Sequence, residues 1–311
     1  MSNELVIDES KYKEIKSVTG QTQIELRNSL GIEVGVNELC NHLLTVDGIH
    51  AVETLYIGYS SGLKNAEIVK AFPNLQRLFI GGKNIITLDG LEMFKGRFID
   101  IQLEHKRRDI AKISAAPIQS LNLVYKKPDD FTAIGNCRSL NDLSIYKNPS
   151  PDMLAWKDVP LSHLRLEGNF TELSNLSFIK TLKIIYVMYC RNFERFTGDN
   201  SNIKHIVVQN CRKFDLHSLD TFQNLEYLDI TSCAPEISLA SLPDLPSLRF
   251  LDFLACKVIY DTYELNRKFP KLEVFDPKKI TAEQAVFLSK ANAGLTVKCN
   301  YKDYINGVCV D

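Results

Sequence analysis

Apolar residues recur along this chain in a six-residue phrase, at its first, fourth and sixth positions. The phrase reads VETLYI from Val52, LQRLFI from Leu75, FIDIQL from Phe98, IQSLNL from Ile118, LNDLSI from Leu140 and LSHLRL from Leu161. It continues as LKIIYV from Leu182, IKHIVV from Ile203, LEYLDI from Leu225 and LRFLDF from Leu248, with LEVFDP from Leu272 a degraded last copy. Successive starts lie 23, 23, 20, 22, 21, 21, 21, 22, 23 and 24 residues apart. A period held this narrowly marks stacked structural repeats. In a short strand, positions four and six point to one side and positions three, five and seven to the other. Each phrase therefore predicts a strand that buries its fourth and sixth residues. The intervening 14 to 18 residues carry apolar positions about every third residue, as in Leu173, Leu176 and Ile179 or Phe214, Leu216, Leu219 and Phe222. That spacing predicts short helices or 3-10 turns behind the strands. Pro73, Pro246 and Pro270 stand two residues before a phrase and Pro117 and Pro160 one before, where a helix must stop and an extended segment begin.

The ninth residue of six consecutive copies is Asn148, Asn169, Cys190, Cys211, Cys233 and Cys256. The turn after each strand leaves backbone groups inside the coil that need partners; an Asn amide donates and accepts there, and Cys is a small substitute with a weak donor. The first four copies depart at this position, with Ser60, Lys83, Lys106 and Lys126, so their turns are expected to be irregular. The full phrase, LxxLxLxxN/C, resembles the leucine-rich repeat family from about Val52 to Pro277. The resemblance implies an α/β repeat fold: a curved leucine-rich repeat solenoid with a parallel concave sheet and short helical or 3-10 convex segments.

Such a stack needs caps at both ends. The expected division is an N-terminal cap over 1–51, about eleven repeats over 52–277 and a C-terminal cap over 278–311. In the first cap, Val36, Leu39, Leu43, Val46 and Ile49 continue the convex spacing, while the segment before Leu30 reads as either a hairpin or a divergent repeat. In the last, TAEQAVFLSKAN predicts a helix with Thr281 as N-cap, and Asn306–Gly307 between apolar runs predicts a hairpin. Four of the eight cysteines are ladder positions, Cys137 is core, and Cys299 and Cys309 flank the hairpin, read as a reduced, packed pair with a disulfide as the alternative.

Composition narrows the functional classes. The 311 residues are 45% hydrophobic, and 37 basic against 38 acidic residues give a net charge of −1. No basic run follows a phosphate backbone, so nucleic acid is an unfavoured partner. The amino terminus lacks a signal-peptide apolar region and no stretch approaches a membrane span; the expectation is a soluble, cytoplasmic protein with no membrane partner. GxxxxGK[ST], HExxH and GxSxG are absent. No enzyme activity, cofactor or metal is expected. His163 and His205 occupy third positions two repeats apart, roughly 10 Å, too far to share a metal. Arg165 and Glu167 read as a surface ion pair, and the ladder cysteines face the core, away from the exposure that a reactive thiolate needs.

The outward positions are aromatic: Tyr56, Tyr59, Phe79, Tyr125, Tyr146, Tyr186, Tyr189, Tyr227 and Phe250. Ile184, Met188 and Leu254 extend this patch near repeats seven to ten. Tyrosine supplies stiff contact area with a polar end, the composition of a protein-binding surface. The fifth positions run Arg165, Tyr186, Val207, Asp229, Asp252 and Asp276, which predicts an acidic carboxy-terminal third, while Arg77, Lys147, Arg165, Lys183 and Lys204 make the middle more basic. The candidate partner-binding residues are Tyr125, Tyr146, Arg165, Tyr186, Met188, Tyr189, Tyr227, Asp229, Phe250 and Asp252. The expected function is a non-catalytic module whose concave face grips a protein partner, as a freestanding inhibitor, adaptor or immunity-type protein. The alternative is a subunit or targeting domain of an enzyme complex such as a ubiquitin ligase or a phosphatase regulator.

Overall fold

The structure, a computed structural model, describes residues 4–30, 35–102, 110–124, 131–148, 153–233, 236–262 and 264–310. It divides into two units, Met1–Tyr146 with Leu154–Leu161, and Lys147–Met153 with Ser162–Asp311.

In the first unit seven strands pair in parallel, each with the next in sequence: β1 (Glu4–Asp8), β2 (Gln23–Arg27), β3 (Thr54–Ile57), β4 (Arg77–Ile80), β5 (Phe98–Ile101), β6 (Ser120–Val124) and β7 (Asp142–Asn148). The two readings of the segment before Leu30 are thereby separated. A hairpin would pair its strands antiparallel, whereas β1 and β2 run parallel with Glu4 opposite Gln23. Helix α1 (Val36–Leu43) buries Leu39 and Leu43, and the later connections are 3-10 turns at Glu67–Ala71, Leu91–Met93, Ile110–Ala115 and Phe131–Asn136.

The second unit carries β8 (His163–Gly168), β9 (Glu172–Ser174), β10 (Ile184–Met188), β11 (Arg195–Thr197), β12 (His205–Gln209), β13 (Tyr227–Thr231), β14 (Ile237–Ser238), β15 (Phe250–Leu254), β16 (Val258–Ile259), β17 (Val274–Asp276), β18 (Thr296–Cys299), β19 (Lys302–Ile305) and β20 (Val308–Val310). Strands β8, β10, β12, β13, β15, β17 and β18 form one parallel ladder, and β18, β19 and β20 turn back on one another antiparallel. Fourth- and sixth-position residues such as Ile185, Val187, Leu228 and Ile230 are buried, as the phrase requires. Two short parallel pairs, β9 with β11 and β14 with β16, stand outside this ladder. The sequence reading gave those connections to helical turns; in these short repeats part of each connection runs extended and finds a parallel neighbour one repeat on. Phe193, Phe196, Phe214 and Phe222 fill the space there, with Phe196 ring centroids 5.0, 5.7 and 4.9 Å from the other three.

In five of the six regular copies the eighth position is left-handed: Lys147, Tyr189, Asn210, Ser232 and Ala255 all have positive φ, while Gly168 stays in its strand. The turn aims the ninth residue inward. Each cysteine thiol there donates to the sixth-position carbonyl of the preceding repeat: Cys190 to Leu166 at 3.7 Å, Cys211 to Val187 at 3.5 Å, Cys233 to Val208 at 3.1 Å and Cys256 to Ile230 at 3.3 Å. All four are buried and free. Burial pushes the thiol of Cys256 up and that of Cys137 up to about 11, whereas hydrogen bonding with Cys211 pulls Cys190 and Cys233 down; all four ladder thiols are enclosed, and a thiol without access to reagent is inert. Quantitative labelling of the native protein is therefore expected to modify exposed Cys309 first and leave the four ladder thiols intact; fast reaction at three of them would overturn the ladder.

Helix α2 (Leu265–Lys268) is followed by α3 (Ala282–Ala291), which opens on a capping box. The Gln284 amide N–H donates to Thr281 Oγ1 at 3.2 Å and the Thr281 amide N–H to Gln284 Oε1 at 3.0 Å. Asn306 and Gly307 both have positive φ, the geometry of a two-residue type I′ turn between β19 and β20. One expectation fails at this end. Cys299 is buried and donates to the Ile280 carbonyl at 3.2 Å, but Cys309 is exposed, because it lies on β20, whose residues are all exposed. The two are not a packed pair.

Candidate functional site

Parallel pairing without slips converts the repeat into rows. On the exposed sheet face of the second unit, the third-position row is His163, Ile184, His205, Tyr227 and Phe250. The fifth-position row is Arg165, Tyr186, Val207, Asp229, Asp252 and Asp276. The seventh is Glu167, Met188, Gln209, Thr231 and Leu254.

Rings from the first two rows form a run: Tyr186 to His205 at 6.1 Å, His205 to Tyr227 at 4.1 Å and Tyr227 to Phe250 at 6.1 Å between centroids. His205 is the residue that the sequence reading set aside; counted as a ring, it closes the gap between the tyrosines. Its Nε2 is enclosed without a hydrogen-bond partner, and burial pushes the imidazole below its ordinary value, so it is neutral near pH 7. Met188 is half-buried beside this run, Leu254 is 46% exposed and Tyr189 54% exposed. Tyr189 holds φ at 55°, a conformation that costs a non-glycine residue roughly 1–2 kcal/mol.

The aspartates align in register on three neighbouring strands, about 4.8 Å apart. Asp252 lies in the middle, and its Oδ1 is enclosed without a hydrogen bond. Burial pushes its carboxyl up to about 6; Asp276 and Asp229 push in the same direction, while Lys278 opposes them. Asp229 accepts from Thr231 Oγ1 at 2.8 Å. The acidity expected of this end is reduced, because Lys278 pairs with Asp276 and approaches Asp252 at 3.6 Å. The basic middle is also offset: Arg165 pairs with Glu167 at 2.9 Å and Lys204 with Glu226 at 2.5 Å.

Eight of the ten candidate residues thus share one unit, seven of them on one sheet face and Tyr189 in the turn just after β10. Tyr146 stands on β7 of the other unit, opposite Val124, and Tyr125 lies outside the described residues. That other unit holds a second arrangement, which the sequence reading did not assemble: the row Glu25, Tyr56, Phe79, Asp100 and Asn122. Tyr56 and Phe79 stack at 4.3 Å with ring planes 13° apart, and a cavity of about 290 Å³ lies beside them. Its signal in the sequence is glycine at the seventh position of two successive copies, Gly58 and Gly81.

No family model and no curated protein matches the chain. Among solved structures, TLR13 in its complex with ssRNA13 aligns at TM-score 0.50 and 14% identity, covering 94% of this chain and 52% of that one. An internalin from Listeria monocytogenes aligns at TM-score 0.48 and 16% identity, covering 94% and 82%. A leucine-rich repeat protein from Leptospira interrogans aligns at 0.49 and 13%, covering 92% and 72%. Identities this low speak to fold alone. Together with the repeated phrase and the parallel ladders, the likeness to TLR13 gives this chain a leucine-rich repeat fold. Among the described residues, no helix is long and apolar enough to cross a membrane.

Proposed function

We propose that the chain is a non-catalytic protein-binding module, an inhibitor or adaptor, that grips a protein partner on the exposed sheet face of the second unit. The observation that carries this reading is the run Tyr186, His205, Tyr227 and Phe250 lying beside the aspartate row. Stiff aromatic area next to incompletely neutralised charge is the composition of interface anchors, and the carboxylates favour a basic segment of the partner while repelling phosphate. Asp252 supports the same reading through energetics. A carboxylate held between two others with one oxygen unbonded costs stability, and such costs are retained where a surface serves binding.

Asp252→Asn tests this. The folded-state pKa stands above the ordinary aspartate value, so the folded protein binds more protons than the unfolded chain between the two values. The stability from this group is fully present below the ordinary aspartate range and is lost as pH rises through about 6. At pH 7.5 the Asn variant is expected to be more stable by about 1 kcal/mol, or roughly 2–4 °C in midpoint, and the advantage should vanish in acid. A partner captured from native lysate with the wild-type chain, and lost with a Tyr186→Ala/Tyr189→Ala double variant as bait, should bind Asp252→Asn at least several-fold more weakly. Equal affinity for both chains would remove Asp252 from the interface.

A further inference from the structure

The cavity in the first unit has the composition of a receptor for a guanidinium group. Its wall is the stacked pair Tyr56 and Phe79, its floor is Gly58 and Gly81, and Glu25 and Asp100 flank the ring pair in the row. The native chain already uses this surface for two guanidinium groups. Arg27 forks onto both oxygens of Glu25 at 2.7 Å. Arg77 lies over the rings of Phe79 and Phe98, 5.6 and 5.1 Å from their centroids.

Among the described residues, Asp100 is the acid left without a cation. Its side chain is buried, with the residue only 8% exposed, and among the described residues its one hydrogen bond comes from the Asn122 amide at 3.3 Å. A carboxylate so far removed from water is costly unless a charged donor meets it. A planar guanidinium satisfies both halves of the site, stacking its plane on an aromatic ring while its fork of donors reaches a carboxylate.

The floor is informative because only one of its glycines is required by the fold. A Cβ at Gly58 would come within 2.7 Å of Glu25 Oε1 and 2.9 Å of the Leu26 carbonyl. At Gly81 it would meet only the Ile57 carbonyl, at 3.6 Å, an ordinary contact, and the backbone there has no left-handed φ. Gly81 therefore keeps the cavity open where the fold would accept a side chain.

We infer that this cavity binds an arginine side chain of a protein partner, its stem along Tyr56 and Phe79 and its guanidinium at Asp100. The source of that arginine rests on the protein-binding reading given above, but the site belongs to the other unit and can be probed without any partner. The probe is N-acetyl-arginine amide, titrated at millimolar concentration into the full chain and followed through the backbone amide resonances of Gly58 and Gly81. Saturable shifts at these two glycines are expected. The neutral citrulline analogue and the lysine analogue should each bind at least tenfold more weakly, as should Asp100→Asn with the arginine probe. Gly81→Val should abolish binding while thermal stability is unchanged or raised. Absence of saturable shifts, equal binding by citrulline or lysine analogues, or wild-type binding by a folded Gly81→Val would each overturn the assignment. None of these outcomes bears on whether the second unit captures its partner, which the Tyr186, Tyr189 and Asp252 variants report separately.

Discussion

Replacing Tyr227 by alanine is expected to weaken binding of the protein partner about thirtyfold, with a loss of stability no greater than about 1 kcal/mol. Thirtyfold corresponds to roughly 2 kcal/mol, the lower bound for a residue that anchors an interface. Tyr227 is half-buried at the middle of the ring run, against His205 on one side and Phe250 on the other. Its side chain points away from the core, so truncation opens no interior cavity, and the stability at stake is that of the ring contacts, about 0.5–1.5 kcal/mol for an aromatic pair. Tyr227→Phe separates the parts of the effect. It keeps both ring contacts and should preserve stability fully, while losing whatever hydrogen bond the phenol makes to the partner. Affinity measured by titration calorimetry, beside thermal unfolding, decides the matter. A steep fall in stability with unchanged affinity would make the run a brace for the sheet and move the binding face elsewhere.

Phe196→Ala should do the opposite, costing about 3–5 kcal/mol of stability, the range for emptying a large buried ring position. Phe196 is 2% exposed and touches three other phenylalanine rings at nearly perpendicular angles. Repeats interact mainly with their neighbours, so the loss should be local. Native-state hydrogen exchange is expected to show lost protection in β10, β12 and β13, with β3 and β4 unchanged. A cost under about 1.5 kcal/mol would mean that the cluster relaxes to fill the void, and that the packing inferred from the ring geometry is looser than described.

The ladder was legible because one period governs both sequence and structure. The phrase placed Ile185 and Val187, or Leu228 and Ile230, in the core, and the register follows once the pairing is parallel and free of slips. The fifth-position row from Arg165 to Asp276 is the same row that the strands bring together. Four features were not legible, each for a physical reason. The parallel strand β2 carries no recognisable phrase, since alternation over QIELR fits either hairpin or repeat until the partner is known. Lys278 sits after a degraded copy in a left-handed turn, and nothing in the sequence says that its amine bends back over Asp276 and Asp252. His205 was weighed as a metal ligand and dismissed for its distance from His163, whereas its contribution is a ring. The cavity beside Tyr56 and Phe79 was missed because a binding site made by absent side chains leaves only glycines to read.

As donors to a neighbouring copy, the ladder thiols all run in one direction. Every ladder cysteine reaches back to a carbonyl of the copy before it, and the residues that lead into the parallel strands likewise donate their backbone N–H groups backwards, as Lys204 does to Lys183 and Glu226 to Lys204, whereas the turn residues Tyr189, Asn210 and Ser232 donate forwards. The carbonyls that accept these backward bonds therefore gain their donors in the order in which the ribosome delivers them. At synthesis rates of about 5–20 residues per second, each copy waits roughly 1–4 s for the next. Assembly by accretion follows, with every completed repeat serving as the template edge for its successor, until the reversal of β18 into β19 and β20 presents an antiparallel edge that no further copy can extend in the same register.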